Sequence, residues 1–160
     1  MEPIEWSDGT VVITDGRLMP DGKASHICRD YPEVCEAIRS GAIRDSSALC
    51  IAAAMGIALG AQRSLAKTVE EFDGEFGTIC VAITAARPGN QNITSVVRQF
   101  RSTYHKYRAS GMLVVRVALL VEALVLQAEE SVAARDVPCI SDGDVQHPRA
   151  HADTPPAVSP

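Results

Sequence analysis

Ser40-Gly41-Ala42-Ile43-Arg44-Asp45-Ser46-Ser47-Ala48-Leu49-Cys50, continuing as Ile51-Ala52-Ala53-Ala54-Met55-Gly56-Ile57-Ala58-Leu59-Gly60-Ala61, is the stretch on which the fold turns. A polar elbow with one arginine feeds an uncharged run of small residues. Ser46 or Ser47 is suited to cap the helix that follows, because a hydroxyl there can accept from a backbone N–H of the first turn. Ala52, Gly56 and Gly60 recur every four residues and so share one stripe of that helix. A stripe without bulk lets another element approach closely, which predicts a central, buried helix. The uncharged run from Ala48 to Ala61 is shorter than the roughly 20 residues that span a bilayer. Arg44 stands just before the helix N-terminus, where free N–H groups and the helix dipole favour an anion; it reads equally as a surface residue in a structural ion pair.

Upstream of the elbow the pattern is β and then helical. Ile4-Glu5-Trp6, a Ser7-Asp8-Gly9 turn and Thr10-Val11-Val12-Ile13-Thr14 predict a hairpin. Asp15-Gly16 and Pro20-Asp21-Gly22 are further turn signals, with a third short strand near Ala24 to Cys28. From Asp30 the period becomes helical. Asp30 with Glu33 has capping-box spacing, Pro32 fits a first turn, Val34, Ala37, Ile38 and Ala42 form an apolar face, and Gly41 ends or loosens the helix.

Downstream, Thr68 with Glu71 is a second capping-box spacing, followed by Phe72, Phe76, Ile79 and Ile83 at helical intervals. That helix must stop near Arg87, because the residue before Pro88 is pushed out of the helical region. After the Pro88-Gly89-Asn90 turn, Asn92 to Tyr107 reads as a helix with Ile93, Val96, Val97, Phe100, Tyr104 and Tyr107 inward. Arg98, Arg101, Lys106 and Arg108 fall on its other face, as a phosphate or RNA surface or, more simply, a solvated one. Gly111 to Arg135 is the longest helix, nearly all apolar from Met112 to Ala128 but interrupted by Arg116 and Glu122, which marks it as buried or dimer-forming rather than membrane-spanning. Pro138, Pro148, Pro155, Pro156 and Pro160 among small and polar residues predict a flexible tail over 137–160 after a domain at 1–136; His147 and His151 on that tail make a poor metal site. The fold expected is therefore mainly α with a small N-terminal β-hairpin sheet (α+β), a bundle of about five helices.

Composition narrows the function. With 46% hydrophobic but only 4% aromatic residues the core must be aliphatic, and a net charge of −5 argues against a dedicated nucleic-acid binder. Met-Glu-Pro-Ile-Glu-Trp at the start is not a basic, apolar signal sequence. Cys28, Cys35, Cys50, Cys80 and Cys139 are odd in number and form no C-x-x-C pair, which fits reduced thiols in a cytoplasm rather than a disulfide framework or a zinc site. Nucleophile elbow, P-loop, zinc-helix and dinucleotide motifs are all missing from the sequence. No metal and no cofactor is expected, and no residue is assigned a catalytic role.

Ile4-Glu5-Trp6, then Glu36-Ala37-Ile38 leading to Ile43-Arg44 and an Ala/Gly helix, then Ala86-Arg87-Pro88 followed by Asn92, occur in an order and spacing that resemble methylthioribose-1-phosphate isomerase. The same group includes ribose-1,5-bisphosphate isomerase and the regulatory subunits of the exchange factor for translation initiation factor 2. The resemblance runs from residue 3 to about residue 143 and implies the N-terminal domain of that family, without the C-terminal Rossmann-like domain that holds its catalytic cysteine and aspartate. It implies that Arg44 and Arg87 help hold a sugar phosphate, for which a planar guanidinium is well shaped, with Asn92 near the same cleft. The family's Arg-Gly-Ala-Pro-Ala-Ile-Gly is here Arg44-Asp45-Ser46-Ser47-Ala48-Leu49-Cys50, and its Arg-Pro-Thr-Ala-Val-Asn is Arg87-Pro88-Gly89-Asn90-Gln91-Asn92. Asp45 puts a negative charge beside the phosphate arginine.

Two functional readings follow. One is a stand-alone homologue of the isomerase N-terminal domain, a small-molecule binding or assembly module that is not a self-sufficient isomerase. The other is a repurposed isomerase or cyclase, for instance in secondary metabolism, using an opened cleft around Arg44, Asp45, Ser46, Ser47, Cys50, Arg87 and Asn92. In both, the ligand is phosphorylated or small and polar. The long helix is expected to make a homodimer, or bind a separate protein, through residues 112 to 126, with Met112, Leu119, Leu120 and Leu124 prominent.

Overall fold

In the computed structural model, which describes the backbone of residues 4–15 and 24–136 and side chains as far as Glu130, the N-terminal hairpin forms as the sequence predicts. Strand β1 (Ile4–Ser7) pairs antiparallel with β2 (Thr10–Thr14), Ile4 opposite Ile13 and Ser7 opposite Thr10. The two residues between them, Asp8 and Gly9, both have positive φ (50° and 76°), the geometry in which a two-residue turn matches the twist of its strands. Strand β3 (Ser25–Cys28) pairs antiparallel with the other side of β2 and gives the order β1-β2-β3. Ile4, Val11, Ile13 and Cys28 are buried on one face of this sheet. The turn signals of residues 16–22, the tail over 137–160, the histidines at 147 and 151 and Cys139 lie outside the described residues.

Helix α1 (Tyr31–Ser40) starts at Asp30, whose carboxylate accepts from the Tyr31 N–H. The expected reciprocal box is not made: the Asp30 carboxylate accepts from the Tyr31 N–H instead of the Glu33 N–H, and Glu33 accepts from the Arg29 N–H, one residue before the cap. Gly41, at φ 87°, ends the helix in the left-handed conformation. Helix α2 (Ser46–Arg63) is buried without a break from Ile51 to Ala61. Its glycines are where neighbouring helices come closest. A Cβ on Gly56 would meet Ile83 Cδ1 at 2.7 Å and Val34 Cγ1 at 3.1 Å; one on Gly60 would meet Ile79 Cδ1 at 2.7 Å and Tyr31 Cδ1 at 3.1 Å. The small-residue stripe therefore seats both α1 and α3.

Helix α3 (Val69–Ala86) has the complete capping box read from the sequence, Thr68 accepting from the Glu71 N–H and Glu71 accepting from the Thr68 N–H. It stops at Ala86, with Arg87 outside the helix before Pro88. Helix α4 (Gln91–Tyr107) is capped by Asn90, which accepts from the Ile93 N–H, so Asn92 lies inside the first turn. A 3-10 turn (Arg108–Ser110) then leads to α5 (Met112–Asp136). The residues up to Glu129 form one compact unit; α5 alone continues past it among the described residues. No helix among them is long and apolar enough to cross a membrane. Of the partner residues expected on α5, Leu119 is a correction. It is 0% exposed and packs in the core with Val115 and Ala123, the positions one turn away on the inner face.

Candidate functional site

The elbow between α1 and α2 is built by two helix ends facing each other along the chain. Gly41 terminates α1, and Ala42 and Ile43 are buried, which leaves Arg44 and Asp45 exposed at the start of α2. Neither serine is the cap. Asp45 takes that position, its carboxylate accepting from the Ala48 N–H at 2.9 Å, and Ser46 and Ser47 become exposed first-turn residues. The carboxylate therefore supplies from within the chain the negative charge that a helix N-terminus favours. Arg44 makes no ion pair or hydrogen bond among the described residues. Arg44 and Asp45 line a cavity of about 140 Å³ with Ile4, Thr14, Ile43 and Ala48. That is smaller than the roughly 300–1,000 Å³ usual for a small-molecule pocket. Ser46, Ser47, Cys50, Arg87 and Asn92 are not among its walls.

Arg87 has a structural task. Its guanidinium donates at 2.7 Å to the Ile38 carbonyl in the last turn of α1, which also accepts from the Gly41 N–H at the helix cap. It therefore closes the end of α1 a few residues before Arg44. Asn92 and Cys50 are half-buried. Cys28, Cys35 and Cys80 are buried, and burial raises all three thiols, Cys28 and Cys80 to about 11, which holds them as unreactive thiols at neutral pH.

Two features were not anticipated from the sequence. Asp73 on α3 accepts from Tyr104 and, in a forked pair, from Arg108 Nε at 2.7 Å and Nη2 at 2.5 Å. Arg108, its side chain still 40% exposed, is thus not a free charge on that face; it latches the end of α4 to α3. Tyr104 also stacks on Phe76, with ring centroids 4.1 Å apart. The hydrogen bonds from Arg108 and then Tyr104 lower the Asp73 carboxyl to about 2. Tyr104 and Arg108 fall one helical turn apart, which is the only hint of this pairing in the sequence. The second feature is an open cleft of about 750 Å³ between the start of α1, the end of α2 and the first half of α3. Most of its polar walls are already engaged, Glu70 excepted: Asp30 and Glu71 cap helices, Glu75 accepts from Ser64, and Arg63 donates to the Gly9 carbonyl.

No family model matches the chain. Individual relatives do. Methylthioribose-1-phosphate isomerase of Geotalea daltonii is 29% identical over 145 residues, covering 88% of this chain and 42% of that protein. The enzyme of the same name from Koribacter versatilis is 30% identical over 133 residues, covering 83% of this chain and 38% of that protein. Among solved structures, 5-methylthioribose 1-phosphate isomerase from Pyrococcus horikoshii OT3 superposes with a TM-score of 0.76 at 25% identity, over 80% of this chain and 36% of that one. The delta subunit of translation initiation factor eIF-2B from A. fulgidus does so with a TM-score of 0.74 at 28% identity, over 82% and 38%. The chain thus spans about two fifths of the length of the proteins it matches. In sequence and in fold it is a relative of the N-terminal domain of the methylthioribose-1-phosphate isomerase and initiation factor 2B family.

Proposed function

We propose that these residues work as an assembly and small-molecule-binding module of the isomerase type, one that does not carry out aldose–ketose interconversion alone. The observation that carries the reading is the outer face of α5. Leu113 is 75% exposed, Val117 50% and Val121 51%, and Leu124 and Val125 continue the same strip. Burying such side chains is worth roughly 25 cal/mol per Å², and contiguous apolar patches of this kind mark docking surfaces. Met112 and Leu120 border the strip; Leu119 does not contribute.

The ligand side of the module is the elbow. Arg44 offers an uncommitted guanidinium among the described residues, with Ser46 and Ser47 exposed next to it. A phosphorylated or small polar ligand would meet Arg44 and these hydroxyls first, while Asp45 weakens the attraction and Arg87 holds the end of α1 behind them. The buried, neutral thiols of Cys28, Cys35 and Cys80 fit a reducing cytoplasm and offer no nucleophile.

Two measurements test the proposal. The 160-residue chain, given methylthioribose 1-phosphate, should show no ketose formation above buffer; turnover that Arg44→Ala abolishes would place the chemistry in this chain. In sedimentation at tens of micromolar, the chain should self-associate weakly through α5, and Val121→Asp or Leu124→Asp should return it to monomer. A strict monomer, with neither substitution altering its state or its binding of any partner, would remove the assembly role.

A further inference from the structure

We infer that the groove between α4 and α5 seats a helix of a different protein, apolar on one face and presenting one lysine or arginine from that face to Glu122. The inference rests on the reading of α5 as an assembly face and names the chemistry of what covers it. Val114, Ala118, Val121 and Val125 succeed one another at intervals of four, three and four, the spacing at which one helix packs along another. Beside Ala118, Val121 and Val125 opens a groove of about 400 Å³, whose opposite wall is Gln99, Thr103 and Tyr107 of α4. Valine and alanine on one side and a shallow trough on the other admit a helix at close range.

Glu122 supplies the sign of the partner. Its side chain lines this groove, and one carboxylate oxygen, Oε1, accepts from the Thr103 hydroxyl. The other, Oε2, has no hydrogen-bond partner and is closed to solvent, so the half-buried side chain must turn outward to meet a donor in the groove. A buried carboxylate oxygen without a donor is unfavourable, and a charged donor is the strongest remedy. Glu129 lines the same groove and adds a second negative charge. Arg116 turns to other elements, its guanidinium over the Phe72 ring and donating from Nη2 to the Ser64 carbonyl while its Nε is buried without a partner, and Lys106 lies over the Tyr107 ring with its ammonium 5.2 Å from the centroid. A second copy docking through the same face would bring its own Glu122 and Glu129 into the interface without adding a cation beside them, on a chain that already carries a charge of −5. Complementarity favours a partner with a cation on its apolar face.

Two synthetic amphipathic helices test this, identical but for arginine or norleucine at the centre of the leucine-alanine face. The arginine peptide should bind the full chain about tenfold more tightly and dissociate any self-associated species. Glu122→Gln, which keeps the Thr103 contact, should erase that preference while leaving the thermal transition in place; Glu129→Gln should reduce it. Val121→Asp should abolish binding of both peptides. Equal binding of the two peptides, or a preference that survives Glu122→Gln, overturns the assignment to Glu122 and leaves the assembly role standing. Binding of neither peptide, or a homodimer that the arginine peptide cannot open, overturns the hetero-partner itself.

Discussion

Asp45 commits its carboxylate to the Ala48 amide and at the same time sits beside Arg44, so one side chain sets both the start of α2 and the anion affinity of the elbow. The two effects separate on substitution. Asp45→Ser keeps a capping oxygen and removes the charge; urea unfolding should change by less than about 0.5 kcal/mol while inorganic phosphate, followed by titration, binds more tightly. Asp45→Ala should cost about 1 kcal/mol, the usual worth of a cap. Asp73 gives the pH dependence. Its folded value of about 2 lies below the ordinary 3.8, so its contribution is complete above the higher value and fades as pH falls toward the lower one. Asp73→Asn should therefore flatten the loss of stability of the wild type across that window, measured as unfolding midpoint against pH. The sequence announced Thr68 with Glu71 because both partners sit within one turn. It did not announce Asp45 as the cap, because aspartate and the two serines beside it are all good caps and only the backbone angles choose among them.

Helix α2 is held by what it lacks. With Ile83 and Val34 already against Gly56, Gly56→Leu overpacks two neighbouring helices and should cost on the order of 1–3 kcal/mol, read as a lower urea midpoint with an unchanged slope. The glycines of α3 are of another kind. A Cβ on Gly74 would meet nothing within 4 Å, so Gly74→Ala should raise stability by about 0.5–1 kcal/mol through helix propensity alone. Both the glycine stripe and the limits of α3 were legible, since a period of four and a proline are local signals. The burial of Leu119 was not: α5 is apolar on nearly every side, and a helix without a polar face does not say which face turns inward.

At the scale of the molecule, the order of a small sheet and five helices followed from turn residues and periodicity. The candidate site followed only in part. Arg44 emerged at an exposed elbow as read, but Arg87 spends its guanidinium on a carbonyl 49 residues away, and Arg108 pairs with a carboxylate 35 residues away. Pairings over such distances are written in packing, which no repeat along the sequence encodes. The same limit applies to Glu122, whose neighbour Thr103 is on a different helix.

One bond ties the two ends of the compact unit together. Gln127 Nε2 on α5 donates to the Ile4 carbonyl of β1 at 2.9 Å, across 123 residues of chain. Closing so long a loop is slow relative to forming a hairpin or a helix turn. The outer edge of β1 is thus finished only when α5 has arrived. Gln127→Ala would then speed unfolding while leaving the refolding rate unchanged, the kinetic mark of a contact made after the transition state.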